Sequence, residues 1–227
     1  MKFFKKVIDK VDGNQGKPDY TEAIFSLTYA SAFLNEKLAT QFTGKAALCV
    51  KSANGTFFEE TVKECKDFLS VSKEEFKIEF ELSKDKFGYD WIIIIGKETE
   101  TGQKNILNIA GIISTIIEII EDKGFSNRIL AAIFQFSKIS LDHNNVNPII
   151  RNNSKSFLTR TFKQGDTVIL PTYLIFNYKK NKFYPFLPID NENRDTSTEL
   201  QVLAILKDLV PFEEDYSKWF PIKDIPF

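Results

Sequence analysis

The seven residues Tyr89-Asp90-Trp91-Ile92-Ile93-Ile94-Ile95 set the strongest constraint on what this chain can fold into. Side chains of a strand point alternately to its two faces. A run with no polar alternation therefore needs cover on both faces. The preceding segment, Phe76-Lys77-Ile78-Glu79-Phe80-Glu81-Leu82, alternates strictly, as a strand with one wet face does. A turn over Ser83-Lys84-Asp85-Lys86 joins the two.

Cover has to come from helices, and the sequence supplies them. Asp19 with Glu22 marks a helix start, and Ile24, Leu27, Ser31, Leu34 and Leu38 then share a face ending near Thr40. Thr56-Phe57-Phe58-Glu59 reads as a capping box, followed by Phe58, Val62, Cys65 and Leu69 at helical spacing. Asn105 caps a third helix over Ile106–Ile120, which Gly124 stops. That apolar stretch spans about 22 Å, short of the ~30 Å hydrocarbon core of a bilayer, and Asn108, Ser114 and Glu118 interrupt it. It is predicted to be a buried helix. A last helix starts at Asp195 or Thr196 with Glu199 completing a capping box, runs through Leu200, Leu203, Leu206 and Leu209, and ends at Pro211. The segment Lys45–Lys51 reads as a strand, and so does Ile129–Phe136. Thr167–Tyr178 and Lys182–Phe186 form a hairpin over Lys179-Lys180-Asn181, with Pro171 placing the first strand at an edge or a bulge.

Hairpins and short strand groups separated by helices predict an antiparallel α+β fold rather than a doubly wound sheet. The body, residues 19–227, divides into either two similar halves (19–104 and 105–227) or one continuous sheet. Between residues 139 and 166, Asn144, Asn145, Asn147, Asn152 and Asn153 crowd around Pro148, which predicts a mobile insertion. The tail from Trp219 to Phe227 is too apolar to stand in water and is predicted to pack on the body.

Residues 1–18 form a separate arm. Phe4, Val7, Ile8 and Val11 make an apolar stripe at helical spacing, with Lys2, Lys5, Lys6 and Lys10 beside it. The stretch Asp12-Gly13-Asn14-Gln15-Gly16-Lys17-Pro18 follows as a linker. The first 17 residues hold five lysines against two aspartates, so with a net charge of -1 for the whole chain the remainder is mildly acidic. Ten residues rarely hold a helix alone in water, so the stripe needs a surface: the protein's own core, an anionic membrane or a partner helix.

Little in the sequence points to a reaction. Lys+Arg 30 against Asp+Glu 31 provides no basic face for nucleic acid, and Tyr178-Lys179-Lys180-Asn181-Lys182-Phe183-Tyr184 reads as a solvated hairpin turn. The single histidine, His143, lies in the Asn-rich stretch, and Cys49 and Cys65 form no Cys-x-x-Cys pair. They read as small buried side chains in a reducing, cytoplasmic setting. Met1–Val7 lacks the apolar run of a secretory signal. Asp190, Glu192, Asp195 and Glu199 gather around Arg194 without the glycine and spacing of a calcium loop. Two of them are expected to cap a helix and two to be solvated. No catalytic residue, metal or cofactor is expected, and a carboxylate- or metal-dependent hydrolase is the alternative.

Four segments, taken together, give the chain a resemblance. They are Phe87-Gly88-Tyr89-Asp90-Trp91, then Glu121-Asp122-Lys123-Gly124-Phe125, then Phe183-Tyr184-Pro185-Phe186 with Arg194-Asp195 and Glu199-Leu200-Gln201, and finally Trp219-Phe220-Pro221. In order and spacing across residues 20–227 they resemble the PspA-associated PspAB family, linked to the phage-shock membrane-stress response. The resemblance implies a non-enzymatic adaptor or chaperone-like accessory protein at the cytoplasmic face of the membrane. Its expected partners are a PspA-like protein or an HtpX-type membrane protease, and its fold is similar to type III secretion chaperones. Phe4, Val7, Ile8, Val11, Tyr184, Phe186, Arg194, Trp219 and Phe220 are the residues expected to meet a partner. The opposing expectation is structural, with Trp91 and Phe186 in the core, Gly124 as a helix stop and Asp195 as a cap.

Overall fold

The computed structural model describes residues 20–97, 105–138, 162–164, 167–169, 171–190 and 192–227. The arm, with Phe4, Val7, Ile8 and Val11, and the Asn-rich stretch with His143 lie outside these residues. So does Asp19, the expected first cap.

One six-stranded antiparallel sheet organises the body. Its strands are β1 (Thr40–Lys51), β2 (Ile78–Lys84), β3 (Tyr89–Gly96), β4 (Ile129–Lys138), β7 (Thr172–Asn177) and β8 (Lys182–Phe186), in the order β2-β3-β1-β4-β7-β8. Two further strands, β5 (Phe162–Gln164) and β6 (Thr167–Ile169), pair with each other as a small separate sheet. The helices are α1 (Tyr20–Phe25), α2 (Leu27–Leu38), α3 (Thr56–Glu75), α4 (Ile106–Asp122) and α5 (Thr196–Leu206). Three strands of the large sheet precede residue 105 and three follow it, and β1 and β4 pair at its centre. The two sets connect differently. Between β1 and β2 the chain crosses over through α3, whereas β7 and β8 follow β4 as a meander.

Strand alternation divides the core into two layers. Ala46, Leu48, Ile92, Ile94, Phe134 and Phe176 face the helices. Ala47, Cys49, Trp91, Ile93, Ile133 and Ile175 face the other way and are covered by Trp219 and Ile225 of the tail. β3 is thus covered on both faces, as its uninterrupted apolar run requires. Isoleucines on α4, including Ile113, Ile116 and Ile117 with no exposed surface, fill the space between the other helices and the sheet. The Asn105 side chain accepts from Asn108 N at 3.1 Å, and Gly124 ends the helix at φ +81°, a left-handed conformation that other residues adopt at a cost.

Several local expectations are corrected. The first helix is two, divided at Ser26, whose hydroxyl donates to Ala23 O at 2.6 Å and so competes with the regular backbone pattern. β1 starts directly after Ala39, which turns the chain at φ 48°, and extends five residues earlier than expected. The cap of α3 is Gly55 at φ 121° rather than Thr56, with no side-chain cap bond. β2 runs on to Lys84, and the hairpin turn is held by Asp85, which accepts from Phe87 N at 2.8 Å and Tyr89 N at 3.0 Å. The strand expected over Thr167–Tyr178 is divided: β6 ends at Ile169, Pro171 separates it from β7, and β7 lies inside the sheet rather than at its edge. The expected insertion at 139–166 includes β5.

Candidate partner-binding groove

The two outer edges of the sheet differ. At β8 the chain covers itself: Phe183 N donates to Pro211 O at 2.7 Å, and Glu213 N donates to Phe183 O at 2.8 Å. At β2 no strand pairs on the outer side among the described residues. Open strand edges are templates for further pairing, and charged side chains are a usual protection. Here Glu79 binds Lys73 at 2.7 Å and Lys97 at 2.9 Å, at one end of β2. At the other end Leu82 is 36% exposed.

Beside Leu82 lies a groove of about 580 Å³ between the first half of α3 and the ends of β1, β2 and β3. Phe58, Val62, Cys65, Leu82, Ile92 and Ile120 give it an apolar lining, and Glu59, Lys84 and Asp90 are among its polar residues. Asp90 accepts from Ser52 Oγ at 2.6 Å and lies 3.7 Å from Lys84 Nζ. Burial pushes the Cys65 thiol up to about 12, so it lines the groove as a small apolar group and not as a nucleophile. A volume of this size falls in the range of binding pockets.

Side chains of the third and fourth segments quoted for the resemblance meet on the opposite side of the sheet, whereas Asp90 and Trp91 of the first line the groove and Phe125 of the second packs on the helix side. Arg194 Nε lies 2.8 Å from both carboxylate oxygens of Glu199, its Nη1 donates to Trp219 O at 2.9 Å, and its Nη2 donates to Pro185 O at 3.1 Å. Its guanidinium stacks 5.1 Å from the Phe186 ring. Tyr184 donates its hydroxyl to Phe220 O at 3.0 Å, and Trp219 Nε1 donates to Glu213 O at 2.6 Å. Tyr184, Phe186 and Trp219 are all buried, so in this structure these side chains clamp the tail to the sheet. Of the described residues expected to meet a partner, Phe220 is the one that points to solvent, at 57% exposure.

The acidic group around Arg194 divides by role. Asp195 caps α5, accepting from Thr198 N at 3.0 Å and Thr198 Oγ1 at 2.6 Å, and the Thr198 bonds hold its carboxyl below the ordinary value. Asp190 accepts from Asn193 and Glu192 in its own turn. Glu199 does not complete the expected capping box. It is fully buried, accepts from Leu187 N at 2.7 Å and pairs with Arg194. Burial raises its carboxyl above the ordinary value, and Arg194 partly offsets that. The chain distance from Arg194 conceals this pairing, because a Glu at that offset from a candidate cap is also what a capping box needs. Glu121 was also missed: it accepts from the hydroxyls of both Tyr20 and Tyr178 and ties the first helix to the β7–β8 turn. No three His, Cys, Asp or Glu side chains are grouped for a metal ion among the described residues, and no described helix is long and apolar enough to cross a membrane.

Fold and site together define an antiparallel α+β protein with an apolar groove at one end of its sheet. The chain matches the family described as PspA associated protein B (PspAB) over residues 1–227, and it belongs to that family. Membership fits an accessory role beside PspA. No curated protein and no solved structure matches the chain, so the likeness to type III secretion chaperones stays an expectation.

Proposed function

We propose that the chain is a non-enzymatic adaptor of a PspA-type membrane-stress response, and that it holds a PspA-like partner in the groove between α3 and the open edge of β2. The observation that carries this reading is the groove itself. Leu82 and Val62 present apolar surface over the buried Phe58, beside a strand edge that no described strand pairs with, while the other face of the sheet is filled by the chain's own tail. Such a site suits an amphipathic helix, with its apolar face laid into the groove, or an extended segment added to β2. The family description supplies PspA as the partner to test.

The test is capture of purified PspA by the immobilised full chain, compared with Leu82→Asp. Leu82 is partly exposed, so this variant is expected to fold, which a thermal melt confirms. Retention of PspA by the native chain and at least a tenfold loss with Leu82→Asp is the expected result, because a charge in an apolar contact must be desolvated without a partner. No retention by the native chain overturns the reading. Capture of an HtpX-type membrane protease in detergent, run the same way, tests the second partner carried by the resemblance.

A further inference from the structure

We infer that the outer edge of β2 takes an extended segment as an added strand, whose apolar residues on the groove side alternate with basic residues beside Glu79 and Glu81. That the segment belongs to a PspA-like partner rests on the function proposed above; its form and its chemistry do not.

The hydrogen bonds of the β2–β3 hairpin decide the form. Lys97 N donates to Lys77 O at 2.9 Å, and Asp85 N donates to Tyr89 O at 3.0 Å. Between these pairs the register runs unbroken, from Ile78 opposite Gly96 to Lys84 opposite Asp90. Antiparallel ladders alternate hydrogen-bonded with non-hydrogen-bonded pairs. Glu79, Glu81 and Ser83 therefore turn their backbone groups inward to β3. Ile78, Phe80, Leu82 and Lys84 turn theirs outward, where no described strand meets them. β2 contains no proline, glycine or bulge that would spoil this edge. A helix laid beside it would leave those N–H and C=O groups without protein partners, whereas a strand uses them.

The side chains decide the chemistry. Phe80 and Leu82 stand on the helix side of the sheet, opposite Ile94 and Ile92, and Leu82 lines the groove. Glu79 and Glu81 stand on the other side, opposite Ile95 and Ile93. An added antiparallel strand meets Phe80 and Leu82 in hydrogen-bonded pairs, with side chains on the groove side. It meets Glu79 and Glu81 in non-hydrogen-bonded pairs, where side chains come closest, and lysine or arginine is favoured there. Lys73 and Lys97 already bind Glu79 and hold its carboxyl below the ordinary value, so the exposed Glu81 is the main discriminating charge. The same carboxylates disfavour a second copy of the chain. β2 paired with itself about Phe80 sets Glu79 against Glu81, and about Glu81 it sets that residue against its own copy.

Synthetic peptides test the edge on the full chain, with binding read by fluorescence anisotropy. The probe alternates valine and lysine over 7 residues, the length of β2, and its control alternates valine and glutamate. The valine–lysine peptide is expected to bind about tenfold more tightly than the control, and Glu81→Lys to cut that preference to about twofold. Glu81 is exposed, so this variant is expected to fold, which a thermal melt checks. Backbone N-methylation tells an added strand from a loose ion pair. Methyl groups on the valine amides, which face β2, are expected to abolish binding, and methyl groups on the lysine amides, which face away, to leave it unchanged. Equal binding of the two peptides, or equal tolerance of the two methylation patterns, overturns the inference. So does a dimer of the chain that the probe dissociates, which indicates a second copy at the edge. PspA capture separates this inference from the proposed function. Capture weakened by both Leu82→Asp and Glu81→Lys supports the two together. Capture lost in Leu82→Asp but unchanged in Glu81→Lys, with no peptide bound, overturns the inference and leaves the proposed function standing. Peptide binding as expected with no PspA retained overturns the proposed function and leaves the preference of the edge standing.

Discussion

Asp195 and Glu199 show how differently two carboxylates four residues apart can serve a fold. Asp195 is half-exposed and satisfies the first turn of α5 through Thr198, while Glu199 is fully buried under Arg194. Replacing Asp195 by Ala is expected to cost about 0.5–2 kcal/mol by chemical denaturation at neutral pH. The lower end is favoured because Thr196 can take over the cap by a one-residue shift. The sign of its pH dependence follows from the lowered carboxyl: the cap contributes stability above the unfolded value near 3.8, and that contribution is lost as pH falls through the folded value. The gap between native and Asp195→Ala chains should therefore close below about pH 4. A gap that stays constant into acid would show that the charge at the cap contributes nothing.

The tail is the element that most depends on side chains elsewhere. It has no helix or strand of its own beyond the short turn Tyr216–Lys218, yet Trp219 and Ile225 are buried against the sheet. Arg194, Tyr184 and the Lys86–Asp224 ion pair at 2.7 Å hold it at three separate places. Trp219→Ala should cost about 3–5 kcal/mol, since it empties a large buried site and frees the bond to Glu213. Hydrophobic-dye binding is the second readout, because losing the tail uncovers Trp91, Ile93 and Ile175. An unchanged melt with no added dye binding would show that the tail is not what covers that face.

At the scale of the molecule, the two-layered core is expected to hold the fold without a metal or cofactor. The thermal midpoint of the full chain is expected to be the same with and without a strong chelator. A large drop would return attention to Asp190 and Glu192 as ligands. The same architecture explains why an open groove can persist. α3 packs on the sheet through Phe58, Cys65 and Leu69, but between its first turns and the ends of β2 and β3 the groove stays open, leaving Leu82 partly in water.

Local pattern was enough for much of the fold. The apolar run of β3, the alternation of β2, the Asn105 cap, the Gly124 stop and the apolar tail each follow from forces acting within a few residues, or from apolar area that must leave water. The break at Ser26, the division at Pro171 and the cap at Gly55 were not legible in that pattern, because each depends on which of several near-equal local options the packing accepts. The expected partner residues show the same limit. An exposed anchor and a buried clamp are both aromatic or arginine, so Tyr184, Phe186, Arg194 and Trp219 carry no local mark of which they are. Leu82 belongs to an alternation whose other apolar members lie at least partly under the helices, and only the position of α3 leaves it open. The sequence by itself determined which side chains must avoid water. Tertiary structure decided which of them the chain could cover, because covering depends on where distant elements meet, and no local rule encodes that.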